Sequence, residues 1–377
     1  MSHKDDYRPG QLASNENSEP KPEAGKTKNK INKVRRRHIH PAIWITVIVL
    51  AVLIGASYLC FSYFYSRLNF QLSKEDMISA LKENISSGDV EAGEELPIDE
   101  GWDYKSADVM NLLLIGVDND YYDGMNDRGN ADGLMILSVN KSTKQIVLSS
   151  LMRDVKVSVP RAGYKTKLTL VYHYEGLETL IETIEQNFGV PIDNYIMVNY
   201  LSVVDIVDAM GGIELEVTSD ELYWMEPKIK NLNMLLGQDE NANLLEPSQA
   251  GTLTLNGIQT AAFLRIRYAG NGDFDRTERA RTVLMALADK ARKLKITEMV
   301  ELADRVLPQI TTDLGQTKIF SLLINLPKYL GYDMVSNRIP IDGSWYFENN
   351  SNGSFVIIDY PVNREFLYRS IYEGTSE

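Results

Sequence analysis

The sequence predicts an α/β domain, a mixed central sheet with helices on both faces in a three-layer α/β/α arrangement, preceded by one transmembrane helix. Three observations predict it. Residues 41–65 contain no charged side chain. From about residue 108 onward, apolar runs of strand length alternate with segments whose apolar residues recur at helical spacing. The first of those runs, MNLLLIGVD, is apolar almost without interruption, as expected of a strand buried on both faces.

Residues 1–40 are polar and carry ten Lys or Arg against five Asp or Glu, a net charge of +5. Such a segment cannot bury enough apolar surface to fold and reads as a disordered tail. Residues 41–65, PAIWITVIVLAVLIGASYLCFSYFY, follow. At about 1.5 Å per residue the run is long enough to cross a hydrocarbon core of about 30 Å. Trp44 near one end and Tyr58, Tyr63 and Tyr65 near the other are placed as interface anchors. The run is too long and starts too deep in the chain for a cleaved signal peptide. The basic flank, Lys30, Lys33 and Arg35 to Arg37, puts the tail in the cytoplasm and the rest outside. Residues 66–107 read as an acidic extracellular stalk, and 108–377 as the extracellular domain.

Within that domain GLMILSVN and KQIVLSSL form a strand pair around NKST. GLETLIETIEQNFG is a helix ended by Gly189, PIDNYIMVNY a strand, and LSVVDIVDAM a helix stopped by Gly211 and Gly212. IELEV is the next strand, and residues 219–250 look irregular. LTLNGIQTAAFLRIR reads as one helix, RTERARTVLMALADKARKLK as an amphipathic one, ITEMVELADRVL and TKIFSLLINLPKYL as two more. WYFENN and SFVIIDY are a late strand pair before a last helix. The alternation of strands and helices makes the class α/β.

Composition excludes several functions. Residues 41–377 carry 29 basic and 47 acidic groups, a net charge of −18, so the broad basic face of a nucleic-acid binder is missing. The single cysteine, Cys60, allows no intramolecular disulfide and no Cys-based metal cluster. His3, His38 and His40 precede the apolar run, which leaves His173 alone for any histidine chemistry in the domain.

Against that acidic background, RIRYAGNGDFDRTERAR holds Arg265, Arg267, Arg276, Arg279 and Arg281. Clustered guanidinium groups repel one another, and Arg binds phosphate in a bidentate fashion. An anion would resolve the cluster. A solvated helix face paired to Asp273, Asp275 and Glu278 would also account for Arg279 and Arg281, but less well for Arg265 and Arg267, which follow an apolar run. Arg265 and Arg267 share one face if that stretch is extended. Arg153 and Lys167 lie at strand ends or in loops, where α/β folds bind ligands, or else form surface ion pairs. Asp118 ends the first strand and Asp132 begins the next. If the strands are neighbours, their carboxylates suit Mg²⁺ (or Mn²⁺) bridged to a phosphate; otherwise they are turn residues.

These segments resemble the LytR–CpsA–Psr family of bacterial envelope enzymes. The matches run in order: LLLIGVD, NADGLMILSVN, SLMRDVKVSVP, KLTLVYHYEG, VNYLSVVDIVDAMGGIELEV, LNGIQTAAFLRIRY and GDFDRTERARTVL. The resemblance implies a phosphotransferase at the cell membrane of a Gram-positive-type bacterium. It would move a teichoic acid, capsule or other secondary glycopolymer from an undecaprenyl-pyrophosphate carrier onto peptidoglycan. It implies Mg²⁺ on Asp118 and Asp132, and a pyrophosphate held by Arg153, Lys167, Arg265, Arg267, Arg276 and Arg279. Arg265, Arg267, Arg153 and Asp273 would serve catalysis, and LETLIETI and YLSVVDIVDAM would wall the lipid. The chain departs from the family pattern at Asn130 (usually Arg), Thr169 (usually Asn), Glu175 (usually Gly), Ala280 (usually Gln) and Met152 (usually Pro). The alternative is a non-catalytic polyprenyl-pyrophosphate-binding scaffold of envelope assembly.

Overall fold

The computed structural model describes residues 62–63, 65–70, 106–118, 128–160, 162–269, 273–350 and 353–374. The expected cytoplasmic tail and apolar span lie outside these residues, apart from Ser62, Tyr63 and Tyr65. Among the described residues no helix is long and apolar enough to cross a membrane.

The strands are β1 (Asn69–Phe70), β2 (Val109–Asp118), β3 (Asn130–Asn140), β4 (Gln145–Leu151), β5 (Lys156–Ser158), β6 (Lys165–Lys167) and β7 (Asn194–Asn199). They continue with β8 (Ile213–Val217), β9 (Gly251–Leu255), β10 (Thr311–Thr312), β11 (Asp333–Ile339), β12 (Trp345–Asn350) and β13 (Gly353–Ile358). The helices are α1 (Leu168–Glu175), α2 (Leu177–Phe188), α3 (Tyr200–Ala209), α4 (Ser219–Leu235) and α5 (Gly257–Leu264). After them come α6 (Asp273–Ala291), α7 (Ile296–Val306), α8 (Gln316–Tyr329) and α9 (Tyr360–Tyr368).

Seven strands make one mixed sheet in the order β1-β10-β7-β2-β3-β4-β11. β2 lies parallel to β7 and antiparallel to β3, and β4 lies parallel to β11. Asn69–Phe70, within the segment read as a stalk, pairs with β10 at the sheet edge. Side-chain alternation explains why the central strands are apolar on both faces. Leu113, Ile115, Leu134, Ile136 and Tyr195 enter a buried core with Val171 of α1 and Leu180, Ile184 and Phe188 of α2. Their neighbours Leu114, Gly116, Gly133, Met135, Ile196 and Val198 instead line a cavity shared with α3 and α6. A second core joins α3, β8, α4, β9, α5 and α6 through Val207, Leu215, Met225, Leu255, Phe263 and Val283.

Short-range signals fix the helix ends. Asn199, Thr218 and Asn256 cap α3, α4 and α5, each accepting from the backbone N–H three residues on. Gly189 ends α2 in the left-handed region, at φ 71°. At Gly257 a Cβ would fall 2.2 Å from the carbonyl oxygen of Val204. Glycine is what lets α5 meet α3 there.

Two readings change, and two segments that carried no reading form elements. Residues 219–235 are not irregular but form α4, in which Leu222, Met225, Ile229 and Leu232 are buried at helical spacing despite Pro227 inside the helix. LTLNGIQTAAFLRIR is not one helix. Its LTL ends β9, paired to β8, and α5 stops at Leu264, so Arg265 is a C-cap residue with φ −90° and ψ 0° rather than extended. LTLVYHYE is a helix, α1, and DMVSNRI is the β11 edge strand. Tertiary pairing overrides weak local signals in both.

Candidate active site

The C-terminal ends of β2 and β7 and the start of β3 converge on one point. Asp118 stands opposite Asn130 in the ladder, and Val117 opposite Asn199. The two predicted carboxylates therefore share one end of the sheet, and Tyr200 at the start of α3 joins them.

Asp132 is the hub. Its side chain is only 2% exposed. Oδ1 accepts from Arg153 Nη1 at 2.8 Å and from Thr169 Oγ1 at 3.0 Å. Oδ2 accepts from Arg276 Nη2, and Arg267 Nη2 stands 4.0 Å away. Burial pushes the Asp132 carboxyl upward, but Arg276 and Arg153 outweigh it and hold it below the usual carboxylate range. Arg276 also donates to the Tyr200 hydroxyl at 3.0 Å. Burial drives the Tyr200 phenol upward, so it remains a neutral hydrogen-bonding group.

Asp118 meets longer contacts, 3.8 Å to Arg265 Nη2 and 3.6 Å to Arg267 Nη2. Arg265 is held by Asn231 of α4 at 3.1 Å and lies over the Tyr200 ring, 5.1 Å from its centroid. Arg267 is the outward member, with a side chain 48% exposed. Lys167 pairs with Asp154 at 2.6 Å, and Arg153 Nε with the same carboxylate at 3.4 Å. Lys167 thus enters the constellation through Asp154, which links it to Arg153.

Arg279 has a different setting. It is buried, 3.4 Å from Glu221 Oε1, and donates to the Ile266 carbonyl at 3.0 Å. Burial lowers its pKa, with Glu221 opposing that shift. Its charge is spent on anchoring the loop that presents Arg265 and Arg267. Asp273 opens α6.

The cavity beside this cluster measures about 320 Å³. Val203 and Ile206 of α3, Leu284 and Leu287 of α6, and the outer residues of β2, β3 and β7 make its wall apolar, while Asp132 and Arg276 are its charged lining. Of the two expected lipid walls, α3 contributes and α2 does not, because Leu180, Ile181 and Ile184 belong to the core on the other face.

Among the described residues no three acidic, His or Cys groups gather. The two carboxylates that would hold an expected divalent cation are Asp118 and Asp132, and phosphate and water oxygens would have to complete its shell. The donors fit hard cations. Arg267, 3.6 Å from one carboxylate and 4.0 Å from the other, demonstrates that one positive group addresses both.

Sequence reasoning missed four members. Tyr200 could have been found, since it directly follows the strand β7, which runs parallel to the one that ends in Asp118. Thr169 stood out only as a departure, yet its hydroxyl hydrogen-bonds Asp132. Asn231 and Glu221 were hidden because α4 was not recognised.

The LytR_cpsA_psr family model matches residues 64–359. The chain belongs to the LytR_cpsA_psr family. Among its relatives, the polyisoprenyl-teichoic acid–peptidoglycan teichoic acid transferase TagU of Bacillus cereus is 26% identical over 81% of this chain and 90% of that protein. The TagU of Oceanobacillus iheyensis is 28% identical over 69% of this chain and 75% of its own length. The Enterococcus faecalis TagU is 30% identical over 55% of this chain, and the match spans 62% of that relative. In structure, TagT bound to LI-WTA aligns over 73% of this chain and 93% of its own, with a TM-score of 0.55 at 20% identity. TagV of B. subtilis aligns over 71% and 98%, at 0.54 and 22%. These likenesses establish the mixed α/β fold of the family.

Proposed function

We propose that this chain is a phosphotransferase that moves an anionic or secondary glycopolymer from an undecaprenyl-pyrophosphate carrier to peptidoglycan outside the membrane. One observation carries the reading: an apolar cavity of about 320 Å³ adjoins a cluster of arginines at the sheet end. An amphiphile with a long apolar tail and a charged phosphate head fits such a site. The teichoic acid transferases among its relatives support the same reaction class. Residues 41–65 are the single-pass anchor, the N terminus is cytoplasmic, and the domain faces the cell wall.

Positioning and charge neutralisation do most of the work in phosphoryl transfer. The cavity takes the start of the lipid. Arg265 and Arg267, with Arg153 and Lys167 nearby, neutralise the pyrophosphate. Arg276 is locked to Asp132 and Tyr200, so it shapes the head-group site with little freedom to move. An acceptor hydroxyl oxygen bonds to the sugar-side phosphorus, the bond from that phosphorus to the bridging oxygen breaks, and polyprenyl phosphate leaves, with release of one proton overall. Mg²⁺ or Mn²⁺ held by Asp118 and Asp132 would add positive charge for the leaving phosphate.

The test is transfer of a lipid-linked polymer to peptidoglycan fragments, with and without Mg²⁺. Product formation that needs Arg265 and Arg267 is expected. Tight lipid binding with no product under any metal condition would instead favour the scaffold.

A further inference from the structure

We infer that Tyr268 and Trp224, with Tyr223 beside them, form a stacking platform for the first pyranose of the donor, the sugar joined directly to the phosphate. The inference rests on the proposed function and deepens it.

The arrangement follows a line through the site. The apolar cavity lies inside, Arg265 (9% exposed) lies between, and Arg267 is half-exposed beyond it. A saccharide on a phosphate held by these arginines has to leave on the exposed side. Tyr268 directly follows Arg267 in the chain, so their Cα atoms are about 3.8 Å apart, less than the width of one sugar ring. Tyr268 is 70% exposed, and Tyr223 is 60% exposed. Trp224 holds the group together, 5.1 Å from the Tyr268 ring centroid and 5.2 Å from that of Tyr223.

The position is built rather than incidental. Glu221, Trp224 and Asn231 fall on one face of α4 and reach Arg279, Tyr268 and Arg265 in turn. One helix therefore fixes the arginine loop and the aromatic group together.

The chemistry fits a saccharide. A pyranose presents a face of C–H groups, which pack flat on aromatic rings, and its hydroxyls need acceptors at the edge. Asp220, exposed in the first turn of α4 next to the Glu221 that Arg279 and Thr218 engage, is such an acceptor. The same carboxylates disfavour the other use of exposed Tyr and Trp, contact with an anionic membrane surface.

Binding of two short-chain probes to the full chain in detergent micelles tests this. One is a polyprenyl pyrophosphate, the other the same lipid carrying a single N-acetylhexosamine. Tyr268→Ala should weaken the sugar-bearing probe by about tenfold and leave the bare pyrophosphate unchanged, while Tyr268→Phe should bind both like the parent. Equal effects on both probes, or none, would overturn the platform. So would a loss seen only as weaker attachment to anionic vesicles, regardless of sugar. If the parent protein binds neither probe, the pyrophosphate reading itself falls and takes the platform with it.

Discussion

Replacing Asp132 by Asn separates a structural charge from a chemical one. The carboxylate is 2% exposed and accepts from Arg153, Thr169 and Arg276. Arg276 is itself 5% exposed and has Tyr200 as its other partner. An amide of the same size keeps the shape but leaves the buried Arg276 without its counter-charge and Arg153 with Asp154 in place of two carboxylates. Breaking a buried pair from one side costs about 3–5 kcal/mol. That is a large share of the 5–15 kcal/mol by which domains are usually stable, and corresponds to a fall in Tm of about 6–20 °C. Asp118→Asn makes the comparison. Its arginine contacts are 3.6 and 3.8 Å, and one partner is half-exposed, so the same change should cost about 1 kcal/mol or less. Thermal and urea unfolding of both variants at neutral pH measure the difference. The pH dependence supplies a second check. Asp132 has a lowered folded pKa, so its contribution is complete above the unfolded value near 3.8 and is lost as pH falls through the folded one. The gap between parent and Asp132→Asn should therefore close only in strong acid. Equal stability of the two Asn variants at neutral pH, or a gap that closes between pH 6 and 8, would refute the hub assignment.

Other outcomes follow from the same contacts. Arg267→Ala should leave unfolding within about 0.5 kcal/mol of the parent and lower transfer by about 10³-fold, read by the donor-to-peptidoglycan assay. Arg279→Ala should behave in the opposite sense, losing about 2–4 kcal/mol in urea unfolding because Glu221 and the Ile266 carbonyl lose a buried partner. Gly257→Ala should fail to fold or lose more than about 4 kcal/mol, since its Cβ would overlap backbone atoms of Val204. Gly133→Val should fold, because a Cβ there meets only Gly116 at an ordinary 3.5 Å, yet its methyl groups enter the cavity wall. Weaker binding of a polyprenyl phosphate, measured by competition, is its expected mark.

The contrast between Arg267 and Arg279 also explains how far sequence reasoning reached. The arginine segment stood out because it opposed the charge of its surroundings, and the strand ends carrying Asp118 and Asp132 were marked by uninterrupted apolar runs. Both signals are local in the chain. What the segment does is decided by partners far away, Glu221 for Arg279 and Asn231 for Arg265, and these sit on a helix obscured by Pro227. Helix α4 was nevertheless written in Leu222, Met225, Ile229 and Leu232, and its N-terminus in the pair Thr218 and Glu221. Thr169 shows the converse limit. As a deviation from a family pattern it suggested a lost polar group, whereas its hydroxyl occupies a lone pair of Asp132 beside Arg153. A short side chain can satisfy a buried carboxylate when the start of α1 already brings its backbone close, as the Thr169 N–H bond to the Arg153 carbonyl at 2.9 Å demonstrates. Charge pattern thus located the site, while long-range packing assigned each arginine either to the cavity or to the scaffold that holds it.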